Sequence, residues 1–217
     1  MSTSKQKEIF GILFIPFLLL MIIWGVKIIE YVFGLSFISY GVFPQKINGL
    51  KGILLSPFIH KDFTHLINNS YPLLILGSLL FSFYKKIAHQ LFIWLYLISG
   101  FWLWVIGRPA FHIGASGIIY ALAGFLFLSG LIRKNRKLSS VSFLVIFLYG
   151  SIIWGIMPIK NSVSWEGHLA GFLAGLLVAI FFRKEGPKKE KYQWEIEEEK
   201  EEKEEEEIQI NYFIKKK

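Results

Sequence analysis

Residues 114–132 read GASGIIYALAGFLFLSGLI, an uncharged apolar stretch that opens with small residues and a serine. Its length is close to the ~20 apolar residues that a helix needs to cross a bilayer. Gly117, Ala121 and Gly124 give this helix a small-residue face, which favours packing inside a bundle of membrane helices. Ser116 is therefore a potential nucleophile within the predicted membrane region, where polar side chains are commonly functional.

The rest of the chain repeats this apolar character. Hydrophobic residues make up 53% of the 217 residues, and charged residues only 18%, whereas soluble domains average about 25% charged. The sequence thus predicts an all-α polytopic membrane protein. Its six predicted spans are 8–28, 63–84, 89–106, 115–132, 140–157 and 166–182.

The segment between the first two spans, residues 29–62, is too apolar for an ordinary exposed loop. Phe33, Phe37, Ile38 and Phe43 are among its large side chains. Glycines and prolines interrupt it and predict short elements. We expect a loop that is partly embedded in the membrane surface.

Basic residues orient the predicted bundle. The segments on one side of the membrane carry twelve Lys and Arg, and those on the other side carry six. Because cytoplasmic loops are enriched in basic residues, both termini are predicted to lie in the cytoplasm. The same distribution favours contact with anionic lipid and disfavours a nucleic-acid partner, since the basic residues lie between apolar spans.

The charge pattern also divides the chain. Residues 1–182 hold fourteen Lys and Arg against four acidic residues, whereas residues 195–207 are almost all Glu. A charge run of this kind is typical of a solvated helix or a disordered tail. The predicted organisation is a membrane domain, 1–183, and a charged cytoplasmic tail, 184–217.

Candidate functional residues share one predicted depth. With an inside N-terminus, the second, fourth and sixth spans all begin at the outer face. His65 and Asn69 lie in the first turns of the second span, Ser116 opens the fourth and His168 opens the sixth. His65 and Asn69 are four residues apart and so lie on one helix face.

This set suits a Ser–His dyad, with His168 accepting the proton of Ser116. The backbone N–H near Ser116, with the His65 and Asn69 side chains, would stabilise an oxyanion. Taken singly, each residue also has a structural interpretation, as helix-packing serine, interfacial histidine or interhelical hydrogen bond. Their shared depth favours the functional interpretation. The chain has no cysteine, which excludes disulfides, thiolate metal sites and a cysteine nucleophile.

In this order and on these spans, the motifs resemble those of rhomboid intramembrane serine proteases, in the bacterial six-helix form. The resemblance covers about residues 8–183. The motifs that carry it are His60-x4-His65-x3-Asn69, Gly114-Ala115-Ser116-Gly117 with Tyr120 one turn later, and His168-x2-Gly171-x3-Gly175.

The resemblance implies that Ser116 is the nucleophile and His168 its general base, with His65 and Asn69 in the oxyanion hole. It implies that Tyr120 packs on the catalytic histidine, while Gly114 and Gly117 support the motif and His60 is structural. It further implies no metal or cofactor, single-span membrane proteins as substrates approaching past the fifth span, and a bacterial plasma-membrane location with the active site toward the outer face.

One family feature is absent. Many members carry a Trp-Arg motif in the loop after the first span, and residues 29–62 contain neither residue. The loop must therefore be anchored differently. Two other functions remain open: a catalytically silent rhomboid-like protein that binds or triages membrane proteins, and a small transporter. The transporter is disfavoured because residues 63–182 show almost no charge within the spans and no repeat.

Overall fold

The computed structural model describes residues 3–133, 135–150, 155–159 and 163–187, together with 194, 197–198, 200–202 and 204–206 of the tail. The chain divides into two compact units, Met1–Pro187 and Lys188–Lys217. The described residues beyond 187 are helical. Most of the predicted charged tail, 184–217, lies outside the described residues, so its solvated character stays a prediction.

Long helices dominate the first unit, and the only β-pairing within the described ranges is a single bridge between Val42 and His112. The α-helices in these ranges are α1 (Thr3–Phe33), α2 (Lys51–Leu55), α3 (Phe63–Phe83), α4 (Ala88–Ile106), α5 (Ser116–Arg133), α6 (Arg136–Tyr149) and α7 (Trp165–Phe181). The prediction of an all-α membrane bundle is confirmed.

Four of these helices are long and apolar enough to cross a membrane, namely α1 over Ile9–Phe33, α3, α4 and α5. Helix α7 is a shorter apolar helix. The bounds of α3, α4, α5 and α7 agree with the second, third, fourth and sixth predicted spans to within one residue. Hydropathy located these helices well because each is flanked by charged or helix-breaking residues.

The first and fifth spans differ from their predicted bounds. Helix α1 extends five residues beyond the prediction at each end. Helix α6 begins four residues before the predicted position 140, because the Asn135 side chain accepts a hydrogen bond from the Leu138 N–H at 3.2 Å and caps it. The prediction for 150–157 falls partly on residues 151–154, which lie outside the described residues.

Helix α5 is the centre of the bundle. In the 18-residue apolar stretch of α5, 61% is buried inside the protein, whereas the corresponding share for α1 is 11%. Leu122 and Phe125 are fully buried, and α5 contacts α3, α4, α6 and α7. The apolar stretch 114–132 therefore supplies the core helix, and α1 lies at the periphery, where lipid would cover it.

Glycines bring α5 and α7 into very close contact. A Cβ on Gly171 would overlap the carbonyl oxygen of Gly117, and one on Gly175 would overlap that of Ala121. A Cβ on Gly124 would lie 2.6 Å from the Phe172 carbonyl oxygen. The four-residue glycine spacing of α7 thus lets two backbones meet, as small residues do in membrane bundles.

We expect Gly171→Ala to destabilise the protein, because the added methyl group must push the α5 backbone away. Overpacking of this kind costs about 1–3 kcal/mol. Thermal unfolding in detergent measures the effect. Gly25→Ala is the matched control, since no atom of the described residues lies within 4 Å of a Cβ at Gly25. Equal melting temperatures for the two variants would contradict this account of the contact.

The loop between α1 and α3 is anchored without a Trp-Arg motif. Trp104 of α4 provides two of its contacts: its indole N–H donates to the Lys46 carbonyl at 2.9 Å, and its carbonyl accepts from the Gln45 N–H at 3.0 Å. Val42 and His112 exchange two backbone hydrogen bonds of 2.9 and 2.8 Å. An indole from outside the loop therefore anchors it. The loop also exposes large apolar side chains, Ile47 at 83% and Leu54 at 57%, as a partly embedded loop requires.

Candidate active site

The predicted site residues lie at the N-terminal ends of α3, α5 and α7. His65 and Asn69 occupy the first two turns of α3, Ser116 is the first residue of α5, and His168 lies in the first turn of α7. These three helix ends meet, so residues from three separate motifs share one end of the bundle.

The backbone before Ser116 runs directly against the α3 pair. Gly114 has φ +106°, a conformation that side-chain-bearing residues rarely adopt. A Cβ there would lie 2.7 Å from His65 Cε1 and 3.5 Å from Asn69 Nδ2. Only glycine therefore lets the His65 and Asn69 side chains lie over the turn that leads into Ser116.

Two contacts set the orientation of the His168 ring. Its Nδ1 lies 2.8 Å from the carbonyl oxygen of Gly155. A carbonyl oxygen can only accept, so Nδ1 carries the proton and, in the neutral ring, Nε2 is free to accept one. The Tyr120 ring stacks on the imidazole with centroids 4.2 Å apart and planes 7° apart. Tyr120 therefore packs against the face of the His168 ring.

The Gly155 carbonyl is the site component that sequence reasoning did not identify. A carboxylate is the side chain expected to orient such a histidine, and the nearest in sequence, Glu166, lies only two residues from His168. A backbone carbonyl leaves no side-chain signature in the sequence. The crowding at this position supplies the reason for glycine: a Cβ would overlap the Tyr120 hydroxyl and lie 3.0 Å from His168 Nδ1.

Asn69 presents an unsatisfied donor. Its side chain is only 5% exposed, and within the described residues its Nδ2 finds no hydrogen-bond acceptor. A buried amide without a partner costs free energy, about 1–3 kcal/mol. Such a group is available to a ligand oxygen without first breaking a bond in the protein.

His60 has a different environment. Its Nε2 is 3.5 Å from the Ala115 N–H, and its ring meets that of His65 edge to face at 5.1 Å. The side chain is buried, and this burial lowers the pKa of His60 to about 3. A neutral, buried imidazole that packs between the N-terminal ends of α3 and α5 suits a structural role.

A small cavity adjoins Ser116. Its lining includes Ser56, Ser99, Ser116 and Ser164 among mainly apolar residues. The four serines could give a bound water molecule hydrogen-bonding partners. Within the described ranges, including this cavity, no three His, Asp or Glu side chains lie close enough together to form a metal site.

Comparison with known proteins covers the helices that carry this site. A family profile, Rhomboid domain, matches residues 48–185, which include α3, α5 and α7 with all the site residues above. The match therefore covers the part of the molecule in which the three helix ends meet.

Mycobacterial relatives extend the similarity. Uncharacterized proteins of Mycobacterium bovis and Mycobacterium tuberculosis are each 33% identical over 171 residues, which is 73% of this chain and 70% of theirs. An uncharacterized protein of Mycobacterium leprae is 31% identical over 182 residues, or 78% of this chain and 70% of its own. With a family profile over most of the helical bundle and relatives at this identity, the chain belongs to the rhomboid family and is an integral membrane protein.

Proposed function

We propose that this protein is an intramembrane serine endopeptidase that uses Ser116 and His168 as its catalytic dyad. The observation that carries the proposal is the hydrogen bond from His168 Nδ1 to the Gly155 carbonyl, 2.8 Å long. Because this bond keeps the proton on Nδ1, Nε2 of the neutral ring is the proton acceptor. A general base must have such an unprotonated nitrogen. Tyr120, one turn after Ser116, stacks on this ring and so links the two helix ends.

The proposed reaction proceeds in two halves. Ser116 Oγ attacks the carbonyl carbon of the scissile peptide bond while His168 Nε2 takes its proton. The C–N bond then breaks, and His168 returns the proton to the leaving amine. Water then attacks the acyl carbon while His168 takes its proton, and the ester C–O bond breaks as His168 returns that proton to Ser116 Oγ. The cavity beside Ser116, with its four serines, would hold that water.

The oxyanion would be stabilised by donors from two helices. Ser116 is at the N-terminus of α5, where backbone N–H groups lack helical partners and the helix dipole is positive. The buried Nδ2 of Asn69, which has no partner among the described residues, and the adjacent His65 ring lie against Gly114, two residues before Ser116. Pre-placed donors of this kind stabilise charge that appears only in the transition state.

The substrates in this proposal are single-span membrane proteins cut in or near their transmembrane segment. They would approach laterally past α6, whose described face bears exposed Phe143 and Phe147. The same proposal places both termini in the cytoplasm of a bacterium and the site toward the outer face of its plasma membrane. Helix-breaking residues in the substrate would favour cleavage, since a regular helix hides its carbonyl groups.

The test is the purified full chain reconstituted in liposomes with a tagged single-span substrate. Cleavage within the membrane-spanning region, together with labelling by a fluorophosphonate probe, is the expected result. In the labelling, Ser116 Oγ displaces fluoride from phosphorus. A folded protein that binds the substrate yet neither cleaves it nor reacts with the probe would overturn the proposal in favour of a catalytically silent relative.

Asn69→Ala is expected to lower kcat about 10²–10³-fold, the usual loss when one oxyanion donor is removed. Because the donor acts on the transition state, KM should change little. Initial rates on the tagged substrate measure both constants. Asn68→Ala, at the neighbouring exposed position of the same helix, is the matched control. Equal kcat values for the two variants would remove Asn69 from the oxyanion hole.

A further inference from the structure

The segment that joins α4 to α5 also forms hydrogen bonds with the residues at the beginning of α7. Arg108 donates through Nη2 to the Val163 carbonyl at 2.9 Å, and its Nε lies 3.6 Å from a carboxylate oxygen of the buried Glu166. Four residues later in the same segment, His112 Nδ1 lies 2.6 Å from the Ser164 hydroxyl. Residues 108–112 thus contact the first turn of the helix that carries His168.

Ser164 in turn holds the backbone at His168. Its hydroxyl caps α7 by accepting from the Gly167 N–H at 3.3 Å. Its carbonyl accepts from the N–H of His168 itself at 3.2 Å. A displacement of Ser164 therefore moves His168 with it, since two consecutive N–H groups are bound to one residue.

The direction of the His112 hydrogen bond is set by its other nitrogen. His112 Nε2 lies 3.1 Å from the Arg108 carbonyl, which can only accept, so Nε2 carries the proton. Nδ1 then accepts from the Ser164 hydroxyl. The ring is 2% exposed, and burial lowers the pKa of His112, which favours this neutral form. Two backbone hydrogen bonds to Val42 fix the residue further.

Ser116 follows His112 by four residues, at the end of the same segment. We propose that His112 and Ser164 form a positioning pair, whose hydrogen bond couples the segment carrying Ser116 to the turn carrying His168. The inference rests on the proposed dyad. Proton transfer depends steeply on the distance and angle between nucleophile and base. A hydrogen bond between the segment before Ser116 and the turn before His168 would fix that distance and angle.

Ser164→Ala and His112→Leu test the pair by removing one partner each. In both variants kcat on the single-span substrate is expected to fall up to about 100-fold with KM nearly unchanged. Two conservative variants should restore most of the rate. His112→Asn keeps an acceptor oxygen near the position of Nδ1, and Ser164→Thr keeps the hydroxyl. Rescue by these variants is a result that a merely structural role would not produce.

Ser129→Ala is the matched control for a lost buried hydroxyl. Ser129 is 1% exposed and bonds the Tyr84 hydroxyl at 2.8 Å, at the opposite end of α5. Its melting temperature should fall about as far as that of Ser164→Ala, with kcat at the wild-type value per folded molecule.

Wild-type kcat in Ser164→Ala and His112→Leu would overturn the positioning pair, as would a loss of kcat in Ser129→Ala of the same size. Failure of the proposed function is distinguishable, because then the wild-type protein itself would neither cleave the substrate nor react with the probe.

Discussion

Ser116→Ala is expected to abolish cleavage of a single-span substrate, with a fall in kcat of the order of 10⁶-fold, as in soluble serine proteases that lose their nucleophile. The methyl group that replaces the hydroxymethyl group cannot form an acyl-enzyme, while the helix start and the donors around it remain. The fold should therefore survive, since Ser116 is only partly buried and the change removes a single oxygen atom.

Two measurements check this result. The first is the cleavage rate in liposomes. The second is mass spectrometry of the fluorophosphonate adduct, which should map to the peptide containing Ser116 in the wild type and be missing in the variant. Ser140→Ala is a suitable control, because the Ser140 hydroxyl bonds only the Arg136 carbonyl of its own helix in the described structure. An adduct on another serine would identify that residue as the nucleophile in place of Ser116.

His168→Asn is expected to stop both cleavage and probe labelling, although Ser116 is intact. The asparagine amide can still donate to the Gly155 carbonyl, where Nδ1 of His168 now donates at 2.8 Å. It cannot accept the Ser116 proton as a base. Loss of the base in a soluble serine protease costs about as much as loss of the nucleophile, of the order of 10⁶-fold in kcat.

The choice of asparagine separates chemistry from folding. If the variant melts near the wild-type temperature and is inactive, the loss lies in proton transfer. His89→Asn provides the control, since His89 is an exposed histidine at the N-terminal end of α4, remote from α7 in sequence and in contact with Phe81. Labelling of His168→Asn at the wild-type rate would show that another group activates Ser116.

Much of the fold could be predicted from hydropathy, but some helix ends could not. The second, third, fourth and sixth spans were located to within one residue, because apolar runs end where charges or glycines begin. The start of α6 was missed since it depends on a cap, the Asn135 side chain accepting from the Leu138 N–H. The first extra turn of α1, residues 3–7, is invisible to hydropathy because it is polar, whereas residues 29–33 are mainly apolar and were predicted as the start of the loop.

The candidate site shows a similar division. Ser116, His168, His65 and Asn69 were recognised from residue type, span parity and the resemblance. Their environment was not, because it consists of backbone and of packing between distant segments. The Gly155 carbonyl, the bond from His112 to Ser164 and the Trp104 anchor of the first loop each join residues with no detectable relation in sequence.

The sequence by itself determined that residues 115–132 form an apolar helix with a serine near its start, and it predicted that this serine shares one depth with two histidines and an asparagine. Hydrophobic periodicity and charge asymmetry are local properties, so the chain records them directly. Only the tertiary structure decided which ring nitrogen of His168 is free and what supports it. Those features depend on hydrogen bonds to backbone carbonyls across the bundle, which exist only once the helices have packed.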